Sequence, residues 1–182
     1  MITRITLCLR HQGRVENLKN VSFIPGINVV VGPNGSGKST LLKSIYDCAD
    51  CRRYEDVKTT YRYFNAEIMN PHRCQKPFTG VSGSLIKVRS RYSSHGETMR
   101  DVLGFFRFQE GDCLLFDEPE AGQDLEWITR IRKGLEEIKK DGCQIIIASH
   151  HPVFWKKANI IELRRGYIKK SLAHYNKIVS KR

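Results

Sequence analysis

No apolar run in the chain is long enough to cross a bilayer, which argues against a helical membrane span. The start, Met1-Ile2-Thr3-Arg4-Ile5-Thr6, alternates like a strand and lacks the apolar core of a signal peptide. No heptad pattern is sustained, which excludes a long coiled-coil arm. There is no internal repeat and no low-complexity segment. Acidic residues are in the minority, 19 against 31 Lys and Arg, for a formal charge of +12. That imbalance favours nucleic acid or an acidic partner without requiring either. The densest basic stretch runs from Arg164-Arg165 through Lys169-Lys170 to Lys177, Lys181 and Arg182, and a solvated edge and tail is the plainer reading of it. The expectation is a cytoplasmic protein without membrane insertion, a single domain over residues 1–182, with 40% hydrophobic residues to build its core.

Residues 32–39 read Gly-Pro-Asn-Gly-Ser-Gly-Lys-Ser and fit the phosphate-binding pattern G-x-x-x-x-G-K-[ST]. An apolar run, Ile27 to Val31, enters the loop, and a helix-like segment over 38–47 leaves it. Gly32, Gly35 and Gly37 let the backbone N–H groups face an anion, and the helix brings its positive dipole end to the same place. Lys38 reaches the β- and γ-phosphates, and the Ser39 hydroxyl holds Mg²⁺.

Such a loop alone does not separate kinases, GTPases and ATPases. Downstream, the apolar strand Cys113 to Phe116 ends in Asp117-Glu118-Pro119-Glu120. Two acids at a buried strand's end are costly unless a metal or polar site compensates. Asp117 suits the Mg²⁺ shell, and Glu118 suits the general base that polarises an attacking water. A second buried strand, Gln144 to Ala148, ends in Ser149-His150-His151-Pro152 and is expected beside the first in a parallel sheet. His150 is placed to contact the γ-phosphate and that water. Alternation points His151 elsewhere, and Pro152 starts a helix.

In this order and spacing the chain resembles the ATP-binding cassette (ABC) ATPases, and within them the soluble SMC-like and predicted-ATPase branches. Glu118-Pro119-Glu120-Ala121-Gly122 is similar to a run frequent there. The resemblance implies an α/β P-loop NTPase fold: a mixed sheet with flanking helices and a reduced helical lobe at about 68–108. It implies ATP and Mg²⁺ as ligands. The nucleotide-binding positions fall on Asn34, Gly35, Ser36, Gly37, Lys38, Ser39 and Thr40, the metal positions on Ser39 and Asp117, and the catalytic positions on Glu118 and His150. The D-loop aspartate falls on Asp124. The signature motif falls on Ser93-Ser94-His95-Gly96-Glu97, where Ser94, Gly96 and Glu97 match and His95 replaces a glycine. Ser94 at a helix start (about 98–108) can still cap a γ-phosphate presented by a second subunit; a capping box without a ligand is the alternative.

Two family features have no clear copy. Asn65 or Glu67 stands where the Q-loop glutamine belongs, after a strand-like run at 59–63. No adenine-stacking aromatic is present, and Arg10 or His11 is the substitute. Full SMC or recombination-repair architecture is excluded because no arm exists. Elsewhere, residues 2–31 read as strands and 68–93 as irregular. Residues 124–140 read as a helix with Leu125, Ile128, Ile131, Leu135 and Ile138 on one face. Strands are expected near 143–148, 159–163 and 166–170.

Of six cysteines, Cys8, Cys113 and Cys143 lie in or beside strand-like runs and read as buried thiols. Cys48-x-x-Cys51 with His72-x-Cys74 has zinc-ligand types in two close pairs. The alternative is that Cys48 and Cys51 share one face of a helix end. Disulfides are not expected in a reducing compartment.

The functional expectation is Mg-dependent ATP hydrolysis by a head-to-tail homodimer that clamps in response to ATP. Nucleic acid, as in repair or phage defence, is one option for what it acts on. An ATP-gated switch for a protein effector and the ATP-hydrolysing subunit of a transporter are the alternatives. A P-loop kinase is a distant fourth, since neither an acceptor site nor a lid is recognisable.

Overall fold

The computed structural model describes residues 1–65 and 107–179. Its strands divide into two sheets. Strands β1 (Ile2–Thr6), β2 (Asn20–Ser22) and β4 (Arg52–Glu55) form an antiparallel sheet in the order β2-β1-β4. Strands β3 (Ile27–Val31), β5 (Tyr61–Asn65), β6 (Cys113–Asp117), β7 (Gln144–Ala148) and β8 (Asn159–Glu162) form a parallel sheet in the order β5-β6-β7-β3-β8. β3, β6 and β7 are buried at every position, so they read as continuous apolar runs rather than alternating ones.

Helix α2 (Lys38–Asp47) lies between the sheets. Its Leu41, Leu42 and Ile45 join Ile2, Ile5 and Val21 of the antiparallel sheet and Leu115 and Ile146 of the parallel one in a single core. Gln144 pins the sheets together: its side chain accepts from the Ile2 N–H at 2.9 Å and donates to the Ile2 carbonyl at 2.8 Å. The other face of the parallel sheet is covered by α3 (Leu125–Lys140), through Ile128 and Leu135. Burying each of those side chains contributes about 1.5–3 kcal/mol.

The expected α2 and the strands at 143–148 and 159–163 are present, within a residue or so. Three local expectations are corrected. Residues 2–31 are not all strand, because α1 (Leu9–Gln12) interrupts them; Cys8 caps it, its carbonyl accepting from the N–H groups of His11 and Gln12. Residues 166–170 are not a strand but the start of helix α4 (Tyr167–Val179). Gly166, at φ +77°, turns the chain away from the sheet, and the Glu162 carboxylate accepts from the N–H groups of Gly166 and Ile168 at 2.6 and 3.0 Å. Leu125 does not share the buried face of α3. It opens the helix, about one turn before Ile128, and is 63% exposed. The expected helical lobe at 68–108 lies outside the described residues, apart from its last two.

Candidate nucleotide site

The strand order decides the site. β7 pairs with β6 on one side and β3 on the other, with Asp117 opposite Ala148 and Val30 opposite Ala148. The loops after β3, β6 and β7 therefore emerge side by side at the carboxyl edge of the sheet, where ligands bind in such folds. Residues 32–39, Asp117-Glu118 and Ser149-His150 come together there.

In the loop after β3, Gly35 and Gly37 have φ of +76° and +91°. A Cβ on Gly37 would lie 2.1 Å from the Arg14 carbonyl oxygen, so only glycine fits between the helix start and residues 13–17. The Lys38 ammonium folds back over the loop and donates to the carbonyls of Gly32 and Pro33 at 3.2 and 3.3 Å. Burial lowers its pKa, against the opposing pull of Glu118, Asp117 and Glu120. The Ser36 hydroxyl oxygen is shielded from solvent and has no hydrogen-bond partner.

Asp117 is 1% exposed. Its Oδ1 accepts from the Ser39 hydroxyl at 2.9 Å, which joins the phosphate loop to β6. Its Oδ2 accepts from the Tyr63 hydroxyl at 2.7 Å and the Asn65 amide at 2.8 Å. Burial, then the Asp117 charge, raises the Tyr63 pKa and keeps the phenol a donor. Glu118 has φ +50°, a left-handed conformation that a non-glycine residue holds only when its surroundings enforce it. Its N–H donates to the Ala148 carbonyl at 2.9 Å, and its half-exposed carboxylate turns into the cleft.

The His150 Nε2 lies 3.9 Å from Glu118 Oε1, while Nδ1 is 3.2 Å from the Tyr167 hydroxyl. Burial first, then Lys38, lowers the His150 pKa, so the ring is neutral at pH 7 and the Glu118 contact is not an ion pair. His150 Nε2 is shielded and lacks a hydrogen-bond partner. A cleft of about 660 Å³ runs beside these groups, lined by Gly13, Arg14, Glu16, Asn17, Asn34, Gly35, Gly37, Lys38, Ser39, Thr40 and Glu118. It is large enough for a nucleotide-sized ligand. Glycine-turned amides and a lysine on one wall suit phosphate. A hydroxyl and a carboxylate 2.9 Å apart suit a hard cation.

Several known proteins are similar to this chain. Residues 27–72 match the family model described as AAA domain, putative AbiEii toxin, Type IV TA system. The chain is 24% identical over 189 residues to the energy-coupling factor transporter ATP-binding protein EcfA1 of Methanospirillum hungatei, covering 80% of this chain and 68% of that protein. It is 61% identical over 36 residues to the DNA replication and repair protein RecF of Psychromonas ingrahamii, covering 20% of this chain and 10% of that protein. Its fold is similar to the dimeric structure of a post-hydrolysis state of the ATP-binding cassette MJ0796 bound to ADP and Pi. The TM-score is 0.55 at 18% identity, over 82% of this chain and 87% of that one.

The chain is similar in sequence to ABC-type ATP-binding proteins and shares the P-loop fold of such a cassette. Phosphate-loop residues and Glu118 line one cleft, with Asp117 bonded to Ser39 and His150 3.9 Å from Glu118. Asp124 caps α3 instead of entering the cleft wall, its Oδ1 accepting from the Trp127 N–H at 2.8 Å. His151 caps the 3-10 turn Pro152–Phe154, as alternation and Pro152 indicate. Ser94, Gly96, Glu97 and Glu67 lie outside the described residues; Asn65 is on Asp117.

The adenine expectation is corrected. His11 does not face the cleft: its Nδ1 sits 3.4 Å from Cys8 Sγ and 3.2 Å from Cys51 Sγ. Arg10 is exposed, and the cleft wall is made instead by Arg14, Glu16 and Asn17. The zinc expectation is met only in part by the described residues. Cys48 and Cys51 close on Cys8 and His11, while His72 and Cys74 lie outside the described residues. That gathering also overturns the reading of Cys8 as a plain buried thiol.

Sequence reasoning missed two residues of the candidate site. Tyr63 had a legible signal, since it lies two positions before Asn65 and so on the same face of β5. Glu120 was quoted only as part of a run. Its Oε1 accepts from the Ser149 hydroxyl at 2.6 Å and from the His150 N–H at 3.0 Å, holding the end of β7 in place. Among the described residues no helix is long and apolar enough to cross a membrane.

Proposed function

We propose that the ATPase works as an ATP-gated clamp formed by two copies of the chain. Asn34 to Thr40 would hold the phosphates of ATP, and Ser39 with Asp117 would hold Mg²⁺, which would supply Lewis-acid stabilisation of charge on the phosphate oxygens. Asp117 acts through its Oδ1, since Oδ2 is already committed to Tyr63 and Asn65. Glu118 takes a proton from the attacking water, and the neutral His150 contacts the γ-phosphate through Nε2. The observation that carries this reading is the Ser39–Asp117 hydrogen bond, with Glu118 forced outward beside it and an unsatisfied His150 nitrogen facing the carboxylate.

Ser94, Gly96 and Glu97 of a second copy cover the γ-phosphate, and Asp124 lies at the joint between copies. The likeness to a dimeric cassette supports this arrangement. Binding of ATP shifts an open–closed equilibrium toward the dimer, and hydrolysis reverses it. Glu118→Gln should bind Mg-ATP, lose turnover by about 10²–10⁴-fold, and accumulate as a dimer on size exclusion. A Glu118→Gln protein that stays monomeric at saturating Mg-ATP refutes the clamp.

Nucleic acid is the leading target. The net charge of +12 supports it, as does a groove lined by Arg164, Arg165, Lys170, Trp155 and Tyr167 next to Pro33 and His150. The short RecF match points the same way. Binding to duplex DNA that falls steeply with salt, and turnover that rises with DNA, are the expected results. A transporter subunit is the second reading, favoured by the longer match to EcfA1, and co-purification with a membrane protein is its test. The toxin–antitoxin wording of the matched family keeps a protein effector as the third.

A further inference from the structure

The P-loop helix ends, at the opposite end from the phosphate loop, in a second cluster of side chains with metal-ligand chemistry. Cys48 is the residue that closes α2, and Cys51 follows within a turn. Cys8 opens α1, and His11 lies within that helix. The two pairs are about 40 residues apart in sequence, with His11 and Cys51 separated by 40 and Cys8 and Cys51 by 43. The pairing of β1 with β4, which sets Thr6 opposite Arg52, brings them together.

The three thiols and the imidazole each offer one ligand atom, and all four atoms lie within 4.8 Å of one another. His11 Nδ1 is 3.4 Å from Cys8 Sγ and 3.2 Å from Cys51 Sγ. A tetrahedral zinc ion with bonds of about 2.3 Å to sulfur and 2.0 Å to nitrogen holds its ligand atoms roughly 3.5–3.8 Å apart. The observed spacings need only small adjustments to reach that geometry, whereas an iron–sulfur cluster spreads its thiolates further. The C-x-x-H and C-x-x-C spacings each place two ligands on one turn, as structural zinc sites do. A further contact has the character of an outer shell: the Cys8 backbone N–H donates to Cys51 Sγ at 3.4 Å, the kind of bond that orients a ligating thiolate. Arg10, Arg14, Arg52 and Arg53 flank the four residues in sequence, as do Asp47 and Asp50.

We propose that Cys8, His11, Cys48 and Cys51 bind a single Zn²⁺ ion as a closed, structural site. All four positions are supplied by protein, so the ion carries no open position for catalysis. It ties α1 to the far end of the P-loop helix. The segment that follows α1, residues 13–17, forms a wall of the nucleotide cleft and rests its Arg14 carbonyl on Gly37. The ion therefore braces the cleft from behind. The assignment stands on this cluster alone and does not depend on what the clamp acts on, or on whether it hydrolyses ATP.

The test is the zinc content of the purified, reduced full chain by plasma emission, together with Co²⁺ substitution. Wild type and Cys143→Ala should each carry near-stoichiometric zinc. Cys48→Ser and Cys51→Ser should lose more than the roughly 10–100-fold in metal affinity that loss of an outer-shell partner costs. Since either serine variant could fail to fold, wild type is also stripped and titrated with Co²⁺. Thiolate-to-cobalt charge transfer in the near ultraviolet and strong tetrahedral bands in the visible are expected, with bleaching by Zn²⁺. Absence of zinc together with absence of those bands overturns the proposal. Zinc retained in both serine variants overturns it too, as does zinc lost on His72→Ala or Cys74→Ser but kept in Cys8→Ser.

Discussion

Replacing Glu120 by alanine should damage both stability and turnover, and replacing it by glutamine should do neither. Glu120 Oε1 receives two hydrogen bonds, from the Ser149 hydroxyl at 2.6 Å and the His150 N–H at 3.0 Å. Ser149 is fully buried, and its oxygen also accepts from the His151 N–H at 2.9 Å, so it keeps one partner after truncation. The His150 N–H keeps none. Each lost bond to a buried group costs about 1–3 kcal/mol. Part of this is offset, because burial raises the Glu120 pKa and the native carboxylate is already held at some cost. The net loss is about 2–4 kcal/mol. With a urea m-value of about 2 kcal/mol/M, the midpoint falls by about 1–2 M. Glutamine retains the accepting oxygen, and its amide takes the place of an Oε2 that already lacks a partner, so its stability stays within about 1 kcal/mol of wild type. Glu120 is a positioning residue for His150. The alanine variant should therefore lose kcat by up to about 10²-fold while KM for ATP holds, and glutamine should restore it. Urea titration and steady-state hydrolysis measure both effects. An alanine variant with the wild-type midpoint and wild-type kcat refutes the reasoning.

Other perturbations test other contacts. Gly37→Ala pushes a methyl group to 2.1 Å from the Arg14 carbonyl at a φ of +91°, so it should lose nucleotide binding by fluorescence titration and cost more than the roughly 1–2 kcal/mol of left-handed strain alone. Tyr63→Phe removes one of two donors to Asp117 Oδ2; it should cost about 1.5–3 kcal/mol and shift the Mg²⁺ concentration at half-maximal hydrolysis, and an unchanged Mg²⁺ titration would argue against this bond supporting the metal site. Burial lowers the pKa of both His150 and His151, and Lys38 lowers that of His150 further. Between those depressed values and the ordinary 6.5, the unfolded chain binds more protons than the folded one. The contribution is thus complete above 6.5 and is lost as the pH falls through the folded values. Thermal midpoints at successive pH values should show a decline below 6.5 that is smaller in His150→Gln.

What could be read along the chain was chemistry confined to a few consecutive residues. The glycines and Lys38-Ser39 announce a phosphate loop because backbone freedom and a dipole are local properties. Helix α2 was legible to the residue for the same reason. Asp117-Glu118 could be read because a buried strand does not end in two acids without cause. Where local signals were weak, neighbours in space prevailed. Residues 166–170 have strand-like character, yet the Glu162 carboxylate and Gly166 start a helix there. Leu125 fits the apolar period of α3 but opens the helix in solvent.

The sequence by itself carried the likeness to ABC ATPases, the phosphate loop, the two acids and the histidine, since each motif's residues are neighbours or follow one strand. Only the tertiary structure decided which groups meet across the chain. Strand order brought Ser39 to Asp117, and the pairing of β5 with β6 set Tyr63 and Asn65 on the same carboxylate. The turn after β6 carried Glu120 under His150. The antiparallel pairing of β1 with β4 gathered Cys8 and His11 around Cys48 and Cys51. Register and strand order are settled by burial of whole faces, and that property belongs to the assembled core rather than to any short stretch of sequence.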